Sequence, residues 1–345
     1  MDILHSLYNA EQTAKLILNN PELFYEKLKL FSTYPCSIML FAFIIESFIP
    51  IPAFLRLNYI YSSMCRLGFK VNRKDNSQQQ NFLSGLFLCL LAALISILLL
   101  EILKFLSGND IVVVIITLTL LLSLRDYQVL SQRFCRLMSE KALYYKEQGK
   151  ALIAPHVLRD TTKLSDMGMS KALSESVIIN TASRFYAVLF WYAILDLEGA
   201  LVTYLVTVLC KAFSIKKEEN IPFGLSIYRV SQAIFLVPYL TIALLLALRS
   251  LRPYKFLKTV FTQCTTYPNF TTGILLSATG LSLNLKLSGP RFYSGDEKVR
   301  YEPLGGDHIA RADSPLLCMR IIRMCGIIFI CFNFIIYIYN MHSIA

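Results

Sequence analysis

Apolar positions in this chain gather into long runs, with polar residues confined to the gaps between them. About 20 apolar residues are needed to cross a ~30 Å hydrocarbon core. On that measure the pattern predicts spans over residues 35–55, 81–105 and 111–124, a further pair on either side of an acidic break at Asp196-Leu197-Glu198-Gly199, and spans over 224–248 and 316–339. Residues 271–285 form a weaker apolar segment. The turn chemistry of Ser107-Gly108-Asn109-Asp110 predicts an antiparallel hairpin between the second and third spans. The first span carries Glu46 and ends in Pro50-Ile51-Pro52, where proline rings break a helix.

Between residues 125 and about 183 the pattern changes to a polar excursion. Tyr127, Leu130, Phe134, Leu137 and Met138 recur at helical spacing, so it opens with an amphipathic helix. Pro155 interrupts it, and Ser165-Asp166 has the chemistry of a helix cap leading into the membrane near Phe185. At the other end of the chain, residues 1–34 read as an amphipathic region. There Asn20-Pro21-Glu22 starts a helix that runs through Phe31.

Composition agrees with this organisation. The 345 residues are 55% hydrophobic, and the mean hydropathy is +0.52. The net charge of +11 resides in loops, as expected of a membrane protein whose cytoplasmic segments collect Lys and Arg. No zinc-knuckle spacing or basic-aromatic strand points to nucleic acid. The four histidines are scattered, and the nine cysteines form no Cys-x-x-Cys pair, so neither a metal cluster nor a disulfide framework is expected. The charge rule conflicts with itself once. Lys211, Lys216 and Lys217 and the basic stretch Arg249, Arg252, Lys255 and Lys258 both favour the cytoplasm, yet one span separates them. Either an element is re-entrant or the rule fails locally. The expected fold class is an all-α, polytopic integral membrane helical bundle with a cytoplasmic helical excursion.

Polar motifs beside spans are where a membrane protein keeps its chemistry, because ionisable groups near lipid are costly. Two stand out: Arg159-Asp160-Thr161 and Ser288-Gly289-Pro290-Arg291-Phe292-Tyr293. Alone, the first reads either as a local ion pair with a cap or as a planar arginine fork for phosphate or carboxylate. The second alone is a turn.

Order and spacing add a resemblance. The series Arg159-Asp160-Thr161-Thr162-Lys163-Leu164, Glu175, Asn180-Thr181 and Leu189-Phe190-Trp191 is followed by Tyr204, Arg229, Pro238, Tyr267-Pro268-Asn269 and Gly289-Pro290-Arg291-Phe292-Tyr293-Ser294-Gly295. This series resembles the CobD/CbiB family of cobalamin-biosynthesis membrane proteins, from Glu46 to the last span, which makes residues 35–345 one family-like transmembrane domain. The resemblance implies a multi-pass protein of the bacterial inner membrane, with the lipid bilayer and a corrinoid or nucleotide as partners. It implies an adenosylcobinamide-phosphate synthase ancestry: an amide ligase that joins adenosylcobyric acid to an aminopropanol or its phosphate, with ATP and Mg2+ wherever the ancestral activity persists. Carried over by position, Asp160 and Glu175 are the catalytic candidates. The binding candidates are Arg159, Thr161, Asn180, Thr181, Arg229, Pro268, Asn269, Gly289, Pro290 and Tyr293. Arg159, Asn180, Arg229 and Asn269 are expected to converge on one cavity.

The departures from that family pattern are mostly lost carboxylates. A histidine–proline pair is Ile51-Pro52 here, and a glutamate before the asparagine is Ile179. An aspartate–glycine is Ser183-Arg184, and the aspartate that closes an asparagine–threonine–leucine–aspartate motif is Lys211. An arginine–leucine–aspartate–aspartate motif keeps only Arg229, followed by Val230-Ser231-Gln232. A tryptophan–proline–glutamate is Thr272-Gly273-Ile274. Magnesium is held by oxygen ligands that include carboxylates, so these losses predict a catalytic centre that has decayed or been repurposed. A shorter likeness, Arg184-Phe185-Tyr186 before Leu189-Phe190-Trp191, is similar to AmpE, an inner-membrane protein linked to β-lactamase regulation. It supplies the alternative of a non-catalytic scaffold or signalling protein.

Overall fold

The computed structural model describes residues 34–52, 58–72, 76–140, 143–157, 161, 164–215, 218–289, 291–292, 298–299 and 301–344. The N-terminal region expected to be amphipathic therefore lies outside the described residues. The fold is all-α, a polytopic membrane bundle with two short β ladders at one corner.

Helix α1 (Pro35–Phe48) has proline in its first turn and stops at Phe48, well before residue 55. Pro50 disfavours helical geometry at the residue before it, and Pro50 and Pro52 lack the N–H a further turn needs. At 14 residues, about 21 Å, α1 is shorter than a full crossing. Its end is tied to the next elements by a reciprocal cap. Glu46 is fully buried and its Oε1 accepts the Arg125 N–H at 2.8 Å. The Arg125 guanidinium in turn donates to the carbonyls of Ser47 and Phe48 at 2.9 and 2.7 Å. Each side chain thus satisfies the backbone groups orphaned at the other's helix end.

Beyond α2 (Asn58–Val71), helix α3 (Gln78–Ser107) starts at a capping box of Ser77 and Gln80 and ends at Gly108, where φ is 63°. Asn109 then caps α4 (Asp110–Leu121) through its side chain. The turn between α3 and α4 is the one the sequence predicts. Along α3, Phe87, Leu94, Leu98 and Leu99 remain exposed, which suits a helix facing lipid.

The excursion folds as α5 (Leu124–Ser139) and α6 (Leu143–Ile153), a single 3-10 turn at Ala154–His156, and α7 (Asp166–Thr181). Ser165 caps α7 by accepting the Gly168 N–H at 3.2 Å. A π segment, Ala182–Tyr186, joins α7 to α8 (Ala187–Ala212). The whole run Asp166–Ala212 is apolar enough to cross a membrane, but it is not one rod. Leu195 and Asp196 leave helical geometry, Asp196 at φ 50°. A Cβ placed on Gly199 would lie 2.7 Å from the Trp191 carbonyl oxygen. Residues eight apart in a straight helix are about 12 Å apart, so the chain folds back at the acidic break the sequence marks. The fold-back is what later brings the end of α8 to the end of α7.

Helix α9 (Phe223–Arg249) contains Pro238. Proline removes the N–H that would bond the carbonyl four residues earlier. That carbonyl belongs to Ile234, and the Trp191 indole N–H donates to it at 2.9 Å. In lipid a freed carbonyl must find such a partner inside the protein. The 27 residues of α9 extend about 40 Å between Lys211 and the basic stretch after Arg249, so positive charge alone does not orient this part of the chain.

α10 (Pro253–Cys264) and α11 (Phe270–Ser282) precede the ladder of β1 (Lys286–Ser288) with β4 (Pro303–Gly305), in which Leu287 faces Leu304. β2 (Arg291–Phe292) pairs with β3 (Lys298–Val299). Gln263 of α10 extends the first ladder: its side chain donates to the Gly305 carbonyl at 3.0 Å and accepts the Gly305 N–H at 2.8 Å. Helix α12 (Ser314–Ile344) closes the bundle. α3, α9 and α12 each include a stretch long and apolar enough to cross a membrane. The core centres on α7, the π segment and α8, where Leu173, Ile178, Phe185 and Leu189 are fully buried.

Candidate functional site

A cavity of about 300 Å³ opens where the π segment meets the end of α8 and the first half of α9. Ile179, Asn180, Ser183 and Arg184 form one wall. Thr207, Cys210 and Lys211 form the second, and Tyr228, Ser231, Gln232, Phe235 and Tyr239 the third. Asn269 and Thr272 reach it from the start of α11, and Pro155-His156-Val157 with Tyr127 close the remaining side.

Local structure explains how several of these side chains are presented. A π segment inserts one residue into the helical count and so re-aims the side chains around it, which is why such segments recur at functional sites. This one carries Ser183 and Arg184. The Arg184 guanidinium lies 5.9 Å from the Tyr204 ring centroid. Its Nε is buried and has no hydrogen-bond partner among the described residues. Lys211, in the last turn of α8 and exposed at the mouth, lies over the Tyr61 ring at 5.9 Å. Asn180 Nδ2 donates to the Ser176 carbonyl at 2.7 Å and to the Ser176 hydroxyl at 3.2 Å. The Ser176 hydroxyl in turn donates to the His156 carbonyl at 2.6 Å, which ties the 3-10 turn to α7. Asn269 caps α11 by accepting the Thr272 N–H at 3.1 Å.

His156 sits at the cavity mouth, its ring edge-on to Tyr127 at 6.4 Å. Although part of its surface is open to solvent, the protein around its ring holds its pKa below the ordinary imidazole value of 6.5. Desolvation is the main cause. The charges of Lys211 and Arg184 add to it, and Asp126 opposes them. Just below pH 6.5 the folded chain therefore binds fewer protons than the unfolded one, and stability falls as pH drops through the lowered folded pKa. Titration of the His156 ring by NMR is expected to fall below pH 6.5, and Lys211→Gln should move it upward. An unchanged titration in that variant would remove Lys211 from the explanation.

Of the residues singled out from the sequence, Asn180 and Asn269 line this cavity. Arg229 does not. It is exposed, with its guanidinium over the Phe82 ring at 5.4 Å, because the residues of α9 that face inward are those in phase with Tyr228 and Gln232. Thr181 is fully buried, with its hydroxyl oxygen unpartnered among the described residues. Thr161 is half-buried, and its carbonyl accepts the Leu164 N–H at 3.3 Å. Pro268 is exposed beside Asn269. Glu175 is buried away from the cavity, where Oε1 accepts the Ser288 N–H at 2.7 Å. That bond anchors the loop carrying Gly289, itself buried at φ 95°. Arg159, Asp160, Pro290 and Tyr293 lie outside the described residues.

Residue-type reasoning did not place Arg184, Lys211 or His156 in one site. The only sequence signal for the first two was that a base stands at or beside a position where the family pattern has an acid. All but one of the departures set out above have a residue on this cavity: Ile179, Ser183-Arg184, Lys211, Ser231-Gln232 and Thr272.

These features define a helical membrane protein with a polar cavity between its helices. The family model of the CobD/CbiB proteins matches residues 39–321, and the chain belongs to that family. It is similar to the cobalamin biosynthesis protein CobD of Chromobacterium violaceum, 30% identical over 149 residues, 43% of this chain and 47% of that protein. The corresponding protein of Stutzerimonas stutzeri is 26% identical over 155 residues, 45% of this chain and 51% of that protein. The chain thus spans about half the length of the curated relatives it matches. No solved structure matches it.

The donor set can be compared with the magnesium and ATP that the family resemblance implies. Magnesium takes hard oxygen ligands, usually one or two carboxylates beside substrate phosphates. Among the described lining residues the oxygen donors are amides, hydroxyls and carbonyls, Arg184 and Lys211 stand among them, and no Asp or Glu is present. Nor does any group of three or more His, Cys, Asp or Glu among the described residues stand close enough to hold a metal ion. These residues do not fit a magnesium–nucleotide centre.

Proposed function

We propose that this chain is an inner-membrane CobD/CbiB-family protein, related to the amide ligase of cobalamin biosynthesis, that keeps the family's cavity as a binding site and no longer carries out the magnesium-dependent ligation. One observation carries the reading: the residues that depart from the family's acidic motifs gather on a single cavity, and two of them are bases. Phosphoryl transfer depends almost wholly on positioning and on neutralising charge with bound metal ions. A cavity with Lys211 in place of an acid and Arg184 beside the position of another would repel such an ion while still attracting an anionic ligand. A scaffold or signalling role of the AmpE kind is compatible with the same loss, and the same assay bears on both.

Purified protein incubated with ATP, magnesium, adenosylcobyric acid and aminopropanol phosphate is expected to give no amide product by mass spectrometry. Formation of the amide above the no-protein control overturns the reading.

A further inference from the structure

Two cations face this cavity, and no described acid that lines it balances them. Arg184 and Lys211 form no ion pair among the described residues, and Asp126, though near enough to act on His156, is not among the lining residues. The ring contacts with Tyr204 and Tyr61 shield the charges without engaging their N–H donors, and Arg184 Nε is left buried and unbonded among the described residues. A buried donor without an acceptor costs free energy, and a charged one costs more. Two like charges on adjoining walls of one cavity add repulsion. A bound anion removes both penalties at once. Gln232 adds an amide donor to this set, and Phe235 and Tyr239 an apolar wall. The volume of about 300 Å³ is at the lower end of small-molecule sites.

We infer that the cavity is a metal-independent receptor for a small organic anion, a carboxylate or a phosphate ester with a compact apolar body, whose charged end is held by Arg184 and Lys211. The body lies against Phe235 and Tyr239. The inference rests on the functional reading above only in taking this cavity as the ligand site. The residues that carry it are those in which this chain departs from the family's acidic pattern.

Calorimetric titration of the full chain in detergent with inorganic phosphate, phenyl phosphate and benzoate, each with EDTA and with excess magnesium, tests it. Phenyl phosphate, benzoate or both are expected to bind more tightly than inorganic phosphate, with affinities unchanged by EDTA. Whichever of the two binds more tightly identifies the charged group. Lys211→Gln is expected to weaken binding about tenfold, as for the loss of one charged hydrogen bond. Lys211 is exposed, so this variant keeps its fold even if Arg184→Gln does not. Absence of binding by all three probes, binding only with magnesium, or full affinity in Lys211→Gln would each overturn the inference. Amide formation in the ligation assay would overturn the functional reading and leave a magnesium-independent, Lys211-dependent binding result standing.

Discussion

Alanine at Gly305 is expected to destabilise the protein by about 3 kcal/mol or more, combining a strained backbone with overpacking. Gly305 has φ 89°, a left-handed conformation open to glycine. The added Cβ would stand 2.4 Å from the Leu285 carbonyl oxygen and 2.7 Å from the Gly280 Cα. Both obstacles are backbone, so no rotamer change relieves them. The residue also sits in the β1–β4 ladder and exchanges two hydrogen bonds with the Gln263 side chain, its carbonyl accepting one and its N–H donating the other. Moving it disturbs the clasp between α10, α11 and the ladder, and α11 is the helix that presents Asn269 and Thr272 to the cavity. Gly108→Ala provides the comparison. It shares the positive φ, at 63°, but nothing lies within 4 Å of its Cβ, so it should cost only about 1–2 kcal/mol. Thermal unfolding in detergent separates the two. Equal losses would show that backbone conformation alone, and not the close approach to Gly280 and Leu285, governs Gly305.

Removing the carboxylate of Glu175 is the second large effect. Glu175→Ala leaves the buried Ser288 N–H without its 2.7 Å acceptor, at a cost of about 3 kcal/mol for a buried donor left unsatisfied. Ser288 and Gly289 are both left-handed, at φ 59° and 95°, and for serine that conformation is uncommon and must be held in place. Glu175→Gln keeps an acceptor oxygen and should cost about 1 kcal/mol. Hydrogen exchange at the Ser288 amide reads the effect directly, with protection lost in the alanine variant and largely kept in the glutamine one. If the amide stays protected in Glu175→Ala, the carboxylate does not hold the loop.

Much of the helical architecture was legible in the chain because it depends on local chemistry. Ser165-Asp166 was read as a helix start, and Ser165 caps α7 through its side-chain acceptor, as Ser77 and Asn109 do for α3 and α4. The acidic break at Asp196 marked the fold-back, since a membrane hairpin needs a polar tip. The length of α1 was overestimated because hydropathy continues past Phe48 while Pro50 and Pro52 stop the helix. Neither the π segment nor the Gln263–Gly305 clasp leaves a periodic trace. The first changes the helical count without changing hydropathy, and the second pairs one side chain with a backbone 42 residues away.

The cavity divides in the same way. Asn180 and Asn269 were found through motif resemblance, and the same resemblance favoured Arg229, which α9 turns outward over Phe82. A motif match at a single residue says nothing about helical phase, and phase decides which side chains face inward.

By itself, then, the sequence determined that this is an apolar, helical, membrane-embedded chain with family motifs whose acids are largely gone. Hydropathy and residue identity are properties of single positions and short windows. Only the tertiary structure decided that Arg184 and Lys211 share one cavity. Their meeting depends on the reversal at Leu195-Asp196, which folds α8 back on itself, and on the π segment that carries Arg184. The like charges converge through the path of the chain, which neither residue encodes alone.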